Sequence, residues 1–441
     1  MKRLLFILIL LAVVGSSRAQ QKTFLPATPQ AVVMYQVNPR VFASRQSLKA
    51  VTQHLDSIKA LGANTIWVMP VFPIGTTKSK NSPYSISDYK AVAPEFGTID
   101  DYKQLVAQAH RRGMAVIQDW VANHTSWDHP WIKAHPDWYT HDATTDTIIC
   151  PQGPGWDWTD VADLNYDSQG LRTAMTGEML FWIEQVGIDG FRCDVADGVP
   201  ADYWHDAIRQ LRKAAAPRKI LMLAEGKRPD NFTVGGFDMN YAWEYKDSLV
   251  SVFTKGQPAN HLFSADSAEY EPLPAGKVKM RFITNHDQSA QVSPIKEFGG
   301  LRAAMAAFVA ATYLHGGALI YSSQEVAYPK AINFFHYVPV NWRSQPQIYK
   351  EYCRLMSLYN SHAAFRQGNY KAYPDRDILM FEKNSGDKRY LIAVNVRNKV
   401  CTVNVPNEWR GRVTDLYYGK SATLSSQLRM LPFEYKIMVK R

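Results

Sequence analysis

The sequence predicts an α/β protein, a (β/α)8 TIM barrel with an excursion domain after strand 3 and a C-terminal antiparallel β-domain. Three observations carry that expectation. Eight short, nearly all-apolar runs recur at 31–37, 64–69, 114–119, 188–194, 220–225, 236–239, 279–285 and 317–321, as strands buried on both faces of a parallel sheet do. Between them lie stretches with helical spacing: Leu48, Val51, Leu55, Ile58 and Leu61 mark 48–61, and 100–112, 171–186, 203–216 and 301–314 follow the same period. Two segments then break the alternation. Residues 123–166 hold five Trp (Trp127, Trp131, Trp138, Trp156, Trp158) and no helical period, too long for an ordinary βα connection. From about Phe365 onward, period-two strands at 378–382, 390–396, 402–405, 412–417 and 433–438 replace it.

In chain order, the expected units are 1–19, 20–122 (first part of the barrel), 123–166 (the excursion), 167–364 (second part) and 365–441 (the β-domain). The first is an export signal: Lys2 and Arg3 precede an apolar run over 4–14, and Ser17 and Ala19 sit at the −3 and −1 positions of a cleavage site. The protein is therefore expected to be secreted or periplasmic. Loss of Lys2, Arg3 and Arg18 with the signal lowers the formal charge of +10 to +7. The remaining basic residues are scattered, with no aromatic interleaving and no phosphate-cradling loop, so no nucleic-acid partner is expected. The apolar run at 303–314 is too short to span a bilayer, so no integral membrane segment is expected either. Four Cys in 441 residues exclude a disulfide scaffold. Whether Cys150, Cys353 and Cys401 pair, and whether the chain oligomerises, the residues leave open.

Polar residues gather where strands end. Strand three ends in Asp119, Asn123 and His124, strand four in Arg192 and Asp194, strand five in Glu225, and strand seven in His286 and Asp287. In a barrel enzyme the site lies at this C-terminal rim, so these side chains converge. Paired carboxyls suit glycosidic-bond chemistry, where one attacks and the other gives and then takes a proton. Arg192 and Asp194, two apart on one strand, share a face, while Cys193 faces the other way as a small packed residue. Alone, each acid could equally be a helix cap or a surface ion pair.

In order and strand by strand, these segments resemble the four signature regions of the α-amylase family of glycoside hydrolases. Asp163-Leu164-Asn165 resembles the family's fifth region, and the stretch from Ser82 to Tyr89, followed by Phe96-Gly97, resembles its loop after strand two. The resemblance covers essentially the whole mature chain. It implies retaining hydrolysis of α-1,4-glucosidic bonds in starch-like α-glucans or maltooligosaccharides. Asp194 would be the nucleophile, Glu225 the acid/base and Asp287 the group that binds sugar hydroxyls and stabilises the distorted ring. His124 and His286 would contact the same ring, Tyr84 would stack beneath it, Arg192 would hold Asp194 ionised, and Asp119 would support them. No cofactor is implied for the chemistry, while Asn123 and Asp163 match two side-chain ligands of the family's structural calcium site; Asn123 equally pins its loop in members without the ion. At least one of Trp127, Trp156 and Trp158 is expected to line the cleft, and 333–337 either shapes the substrate rim or packs.

The chain also departs from the family pattern. Many members follow the nucleophile with a Lys-His pair three and four residues on; here those positions are Asp197 and Gly198. The subsites on the leaving-group side must therefore differ. α-Glucosidase action, α-1,6 cleavage and transglycosylation stay open, and so does a non-catalytic glucan-binding protein.

Overall fold

A computed structural model describes residues 23–367 and 369–440 of the chain; the expected export signal lies outside them. Eight parallel strands form the barrel: β1 Val33–Val37, β2 Thr65–Val68, β3 Ala115–Val121, β4 Gly190–Asp194, β5 Leu221–Ala224, β6 Met239–Tyr241, β7 Val278–Met280 and β8 Ala318–Tyr321. Each pairs with its chain neighbour, β1 also pairs with β8, and a bridge between Arg281 and Ala318 closes the ring.

Side chains alternate across each strand. Met34, Trp67, Ile117, Leu223, Met239, Met280 and Leu319 fill the barrel interior. Val33, Tyr35, Ile66, Val116, Phe191, Cys193 and Met222 face the helices. Both faces are thus apolar, which is why the strands read as unbroken hydrophobic runs. Only the top of the interior is polar, and it carries Gln36, Asp119, Arg192 and Asp194.

The helices are α1 Ser47–Ala60, α2 Ile99–Arg111, α3 Gln169–Phe181, α4 Ala201–Ala215, α5 Trp243–Thr254, α6 His261–Tyr270, α7 Leu301–Thr312 and α8 Pro346–Ser361. Helix α2 begins at a capping box in which Thr98 and Asp101 bond reciprocally. No helix is assigned by the sequence reading to α5, α6 or α8. Among the described residues no helix is long and apolar enough to cross a membrane.

Two strands differ from expectation. The sixth forms at Met239–Tyr241 rather than 236–239, because Gly236 turns at φ +84° and Asp238 spends its carboxylate on the Met222 amide. The seventh ends at Met280 rather than 285. Asn285 caps a short helix, His286–Gln291, by accepting from the Gln288 amide at 3.1 Å. At β4, Gly190 is required: a Cβ there would lie 1.9 Å from the Leu221 carbonyl oxygen.

Between β3 and α3 the chain leaves the barrel. His124–Ser126 pairs antiparallel with Val161–Asp163, and Gln152–Gly153 with Trp156–Asp157. Beyond α8 come β9 Lys371–Tyr373, β10 Ile378–Ser385, β11 Lys388–Asn395, β12 Cys401–Asn404, β13 Gly411–Asp415, β14 Lys420–Leu424, β15 Gln427–Met430 and β16 Tyr435–Lys440. They form a six-stranded antiparallel sheet in the order β9-β10-β11-β16-β13-β14 and a separate β12-β15 pair. Strand β10 is buried on both sides: Leu379 and Phe381 join the barrel's outer core, while Ile378 and Met380 join the sheet's own. All four Cys are free.

Candidate active site

A cavity of about 340 Å³ opens at the C-terminal end of the barrel. Tyr84, His124, Asp194, Glu225, His286 and Asp287 line it. Arg192 and Asp119 lie one layer deeper with fully buried side chains, so they meet the cavity's contents only through their neighbours. All eight residues singled out for catalysis or sugar binding therefore belong to one constellation, six of them at its surface.

Arg192 is the hub. Its Nη1 is 2.8 Å from both Asp119 Oδ1 and Asp194 Oδ1, its Nη2 is 2.8 Å from Glu225 Oε1, and its Nε donates to the Tyr241 hydroxyl at 3.1 Å. The alternation of β4 aims Arg192 and Asp194 into the barrel together, and Cys193 packs on the opposite face. The planar fork of a guanidinium suits such bracketing. Asp194 and Glu225 thus share adjacent nitrogens of one group, which keeps their oxygens a few ångströms apart.

A second network runs beneath the cavity. Gln36 Nε2 donates to His286 Nδ1 at 2.8 Å, so the imidazole proton sits on Nε2, 2.6 Å from the Tyr84 hydroxyl. Tyr84 in turn donates to Asp119 Oδ2 at 3.1 Å, and Trp67 Nε1 donates to the same oxygen at 3.0 Å. Burial, then the nearby Arg192 charge, holds His286 well below the usual imidazole range. Burial likewise lowers His124 to about 4. Both rings are neutral near pH 7 and add no charge to the cavity; the one N–H of His286 points at the Tyr84 hydroxyl.

The acids titrate high. Burial, and then Glu225, pushes Asp194 well above the usual carboxylate range against the pull of Arg192. Burial lifts Asp119 to about 6, opposed by Arg192 and Trp67. Asp287 is pushed up to about 7, by the protein around it and then by Glu225; its side chain is 46% exposed, so cleft water tempers that rise. Burial and mutual repulsion thus push Asp119, Asp194 and Asp287 together toward their protonated forms, against the pull of Arg192.

Several participants escape sequence reasoning. Gln36, Trp67 and Tyr241 carry no motif; only their inward register on β1, β2 and β6 marks them. Val195 stands at φ +42°, a strained conformation for a β-branched residue, and its amide donates to Glu225 Oε2 at 2.9 Å. Of the three Trp expected near the cleft, Trp158 lines it, edge-on to His124 at 5.6 Å. Trp156, 45% exposed, leans on Trp158 with the rings tilted by 32°, and Trp127 lies under Lys78. Phe334 and Phe335 also line the cavity.

Asn123 and Asp163 sit away from that cavity, on facing segments at the base of the excursion: His124 pairs with Asp163, and the Leu164 amide donates to the Asn123 carbonyl. Among the described residues no group of three or more His, Cys, Asp or Glu side chains is placed to hold a metal ion. Asn123 and Asp163 would supply two of the six to eight oxygens that calcium takes, the others coming from main-chain carbonyls and water.

A family model described as the alpha amylase catalytic domain matches residues 36–345. The chain belongs to the alpha-amylase family. It is 28% identical over 313 residues to the alpha-amylase MalA of Haloarcula japonica, covering 68% of this chain and 45% of that protein. It is 34% identical over 275 residues to an oligo-1,6-glucosidase of Bacillus sp. (strain F5), covering 50% and 53%. The chain spans about half the length of these curated relatives. Among solved structures, an alpha-amylase from Lactobacillus plantarum shares the fold at a TM-score of 0.84 and 24% identity, over 94% of this chain and 99% of that one.

The departures from the family pattern at 197 and 198 have a local structural reason. Asp197 turns away from the cavity and accepts from the amides of Lys227 at 2.9 Å and Arg228 at 3.3 Å, and from Asn231 Nδ2 at 2.8 Å. It fastens the loop that follows Glu225. At 198 a Cβ would lie 2.3 Å from Asn123 Oδ1, so any larger residue there would have to displace the Asn123 side chain.

Proposed function

We propose that the protein hydrolyses α-1,4-glucosidic bonds in starch-like α-glucans or maltooligosaccharides with retention of configuration, through a covalent glucosyl-enzyme intermediate. The observation that carries this reading is the bracketing of Asp194 and Glu225 by adjacent nitrogens of Arg192, each at 2.8 Å. Retaining pairs stand ~5–5.5 Å apart and inverting pairs ~6.5–9.5 Å; one shared guanidinium supports the closer spacing.

In the first step Glu225 gives its proton to the glycosidic oxygen, an Asp194 oxygen bonds to C1, and the C1–O bond breaks to release the leaving sugar. Arg192 holds the attacking carboxylate in line. Asp287, at the cavity surface, balances the positive charge that develops on the ring, and neutral His124 and His286 face its hydroxyls. Glu225 then takes a proton from water, whose oxygen bonds to C1 as the ester to Asp194 breaks. Both carboxyls return to their starting states.

Asp194→Asn and Glu225→Gln should each lower maltoheptaose hydrolysis by about 10³-fold or more without moving the melting temperature downward. Wild-type rates in both variants would sink the mechanism. One relative is named an oligo-1,6-glucosidase and the Lys-His pair is replaced, so linkage is the variable to measure. A product time course on maltotriose, pullulan and isomaltose assigns it, and an added acceptor sugar reveals transglycosylation. The 1–19 segment supports action outside the cytoplasm, which N-terminal sequencing of the mature protein checks.

A further inference from the structure

The two sides of the cavity are built differently. Glu225 protonates the leaving oxygen, so the leaving sugar lies toward β4 and β5. In a ring of eight strands the sector opposite β5 is β8, β1 and β2, and the glycon points there. On the Glu225 side the cavity is lined by Val195, whose amide holds the Glu225 carboxylate.

Across the far sector the rim loops are strapped together. Arg40, immediately after β1, has a side chain only 5% exposed. Its Nη1 donates to three loop carbonyls: Asn81 at 3.2 Å, Phe334 at 3.2 Å and Phe335 at 2.9 Å. Its Nη2 pairs with Glu95 at 2.6 Å. Asn81, held at φ +63°, donates its side-chain amide to the Phe335 carbonyl as well. The loop after β2 is thereby joined to the loop after β8. On its other flank Lys80 reaches Asp160 of the excursion at 3.3 Å. Phe334 stands edge-on to His286 at 5.0 Å and to Tyr84 at 6.0 Å, extending the aromatic floor upward into a wall. A buried guanidinium bonded to main-chain carbonyls fixes these loops: removing it would strip the Asn81 and Phe334 carbonyls of this donor and leave the Phe335 carbonyl with Asn81 alone.

An enzyme that cuts within a chain must let glucan leave the cleft at both ends. Here Phe334 and Phe335 line the cavity on the glycon side, and Arg40 and Asn81 hold the loop that carries them. We infer that the pocket is closed on the glycon side, so that the enzyme removes glucose or maltose from non-reducing ends and does not cleave internally. The inference rests on the hydrolase reading above and adds Arg40, Asn81 and Phe335 as residues that set its specificity.

The test uses 4-nitrophenyl maltoheptaoside in two forms, one with a free non-reducing end and one with that end blocked by a 4,6-O-ethylidene group, with products resolved by chromatography. The free form should yield glucose or maltose as its first product, and the blocked form should react at least about 100-fold more slowly, as a steric wall demands. Internal cleavage of the blocked form at a comparable rate would overturn the closed pocket while leaving the hydrolase reading intact. Failure to cleave either form would overturn the hydrolase reading and this inference with it. In Asn81→Ala/Phe335→Ala the ratio of blocked to free rates should rise by about 10-fold or more, a ratio that general loss of stability does not move. An unchanged ratio would show that these residues do not form the barrier.

Discussion

Asp197→Ala tests whether the residue in the family's lysine position acts by holding the acid/base loop. The wild-type carboxylate accepts three hydrogen bonds, two from the amides of Lys227 and Arg228 and one from Asn231 Nδ2. Its side chain is 29% exposed, so water replaces part of what is lost, and the expected destabilisation is roughly 2–4 kcal/mol. The loop begins one residue after Glu225. A shift of about 1 Å in a catalytic group costs on the order of 10²-fold, so kcat on maltoheptaose should fall by about that factor while KM stays within about threefold. Asp197→Asn should recover most of the rate. Its remaining oxygen can take both backbone amides, and its new NH2 can donate to Asn231 Oδ1, which lacks a partner. Steady-state kinetics with a thermal melt on the same samples decide the matter. A folded Asp197→Ala enzyme with wild-type kcat, or one whose KM alone rises, would refute the positioning role.

Asp119→Asn should move the acidic limb of the kcat/KM profile to lower pH, because the Asp119 charge is among those that raise Asp194 and Asp287, and removing a negative neighbour favours their ionised forms. A limb that stays put or moves upward would contradict that mutual repulsion. In the β-domain, Glu382 is held at about 2: burial opposes ionisation, but bonds from Arg389, Trp409 and Tyr373 outweigh it. A depressed carboxyl adds stability that is present above its ordinary value near 4.5 and is lost as pH falls toward 2. Glu382→Gln should therefore cost about 2–3 kcal/mol at pH 7, with the deficit shrinking between pH 5 and 2; a pH-independent deficit in melting experiments would argue that packing, not charge, is responsible.

What was legible in the sequence is what repeats or what clusters. The strands declared themselves because both faces are buried, and α1, α2 and α4 because each sets a single apolar stripe against the barrel. Strand six was misplaced because it is three residues long and includes Asn240, so no apolar run marks it. Helix α7 is apolar all round because ten of its residues, from Ala303 to Thr312, are buried. The carboxylates were legible at strand ends, and the register of β4 correctly separated Arg192 and Asp194 from Cys193. Gln36, Trp67 and Tyr241 were not, since a polar or aromatic residue pointing into a barrel looks like any other until its partner on a distant strand is known. The Arg40 straps were hidden for a different reason: their acceptors are main-chain carbonyls, which every sequence supplies at every position.

Floor and wall are physically continuous, and this constrains how the specificity of such a site can change. Tyr84 stacks on His286 at 5.5 Å, and Phe334 packs edge-on against both. The same Tyr84 hydroxyl joins His286 to Asp119, which shares Arg192 with Asp194. Any substitution that tilts Phe334 outward therefore disturbs the ring orientation of His286 and, through Tyr84, the carboxylate that competes with Asp194 for Arg192. Asn81 and Phe335 stand one step outside that relay: the Asn81 side chain bonds the Phe335 carbonyl, and the Phe335 ring meets Phe334 edge-on at 4.9 Å. Change at Asn81 therefore alters the glycon side with the least effect on the proton balance around Arg192, change at Phe335 reaches that balance through one ring contact, and change at Phe334 acts on it directly.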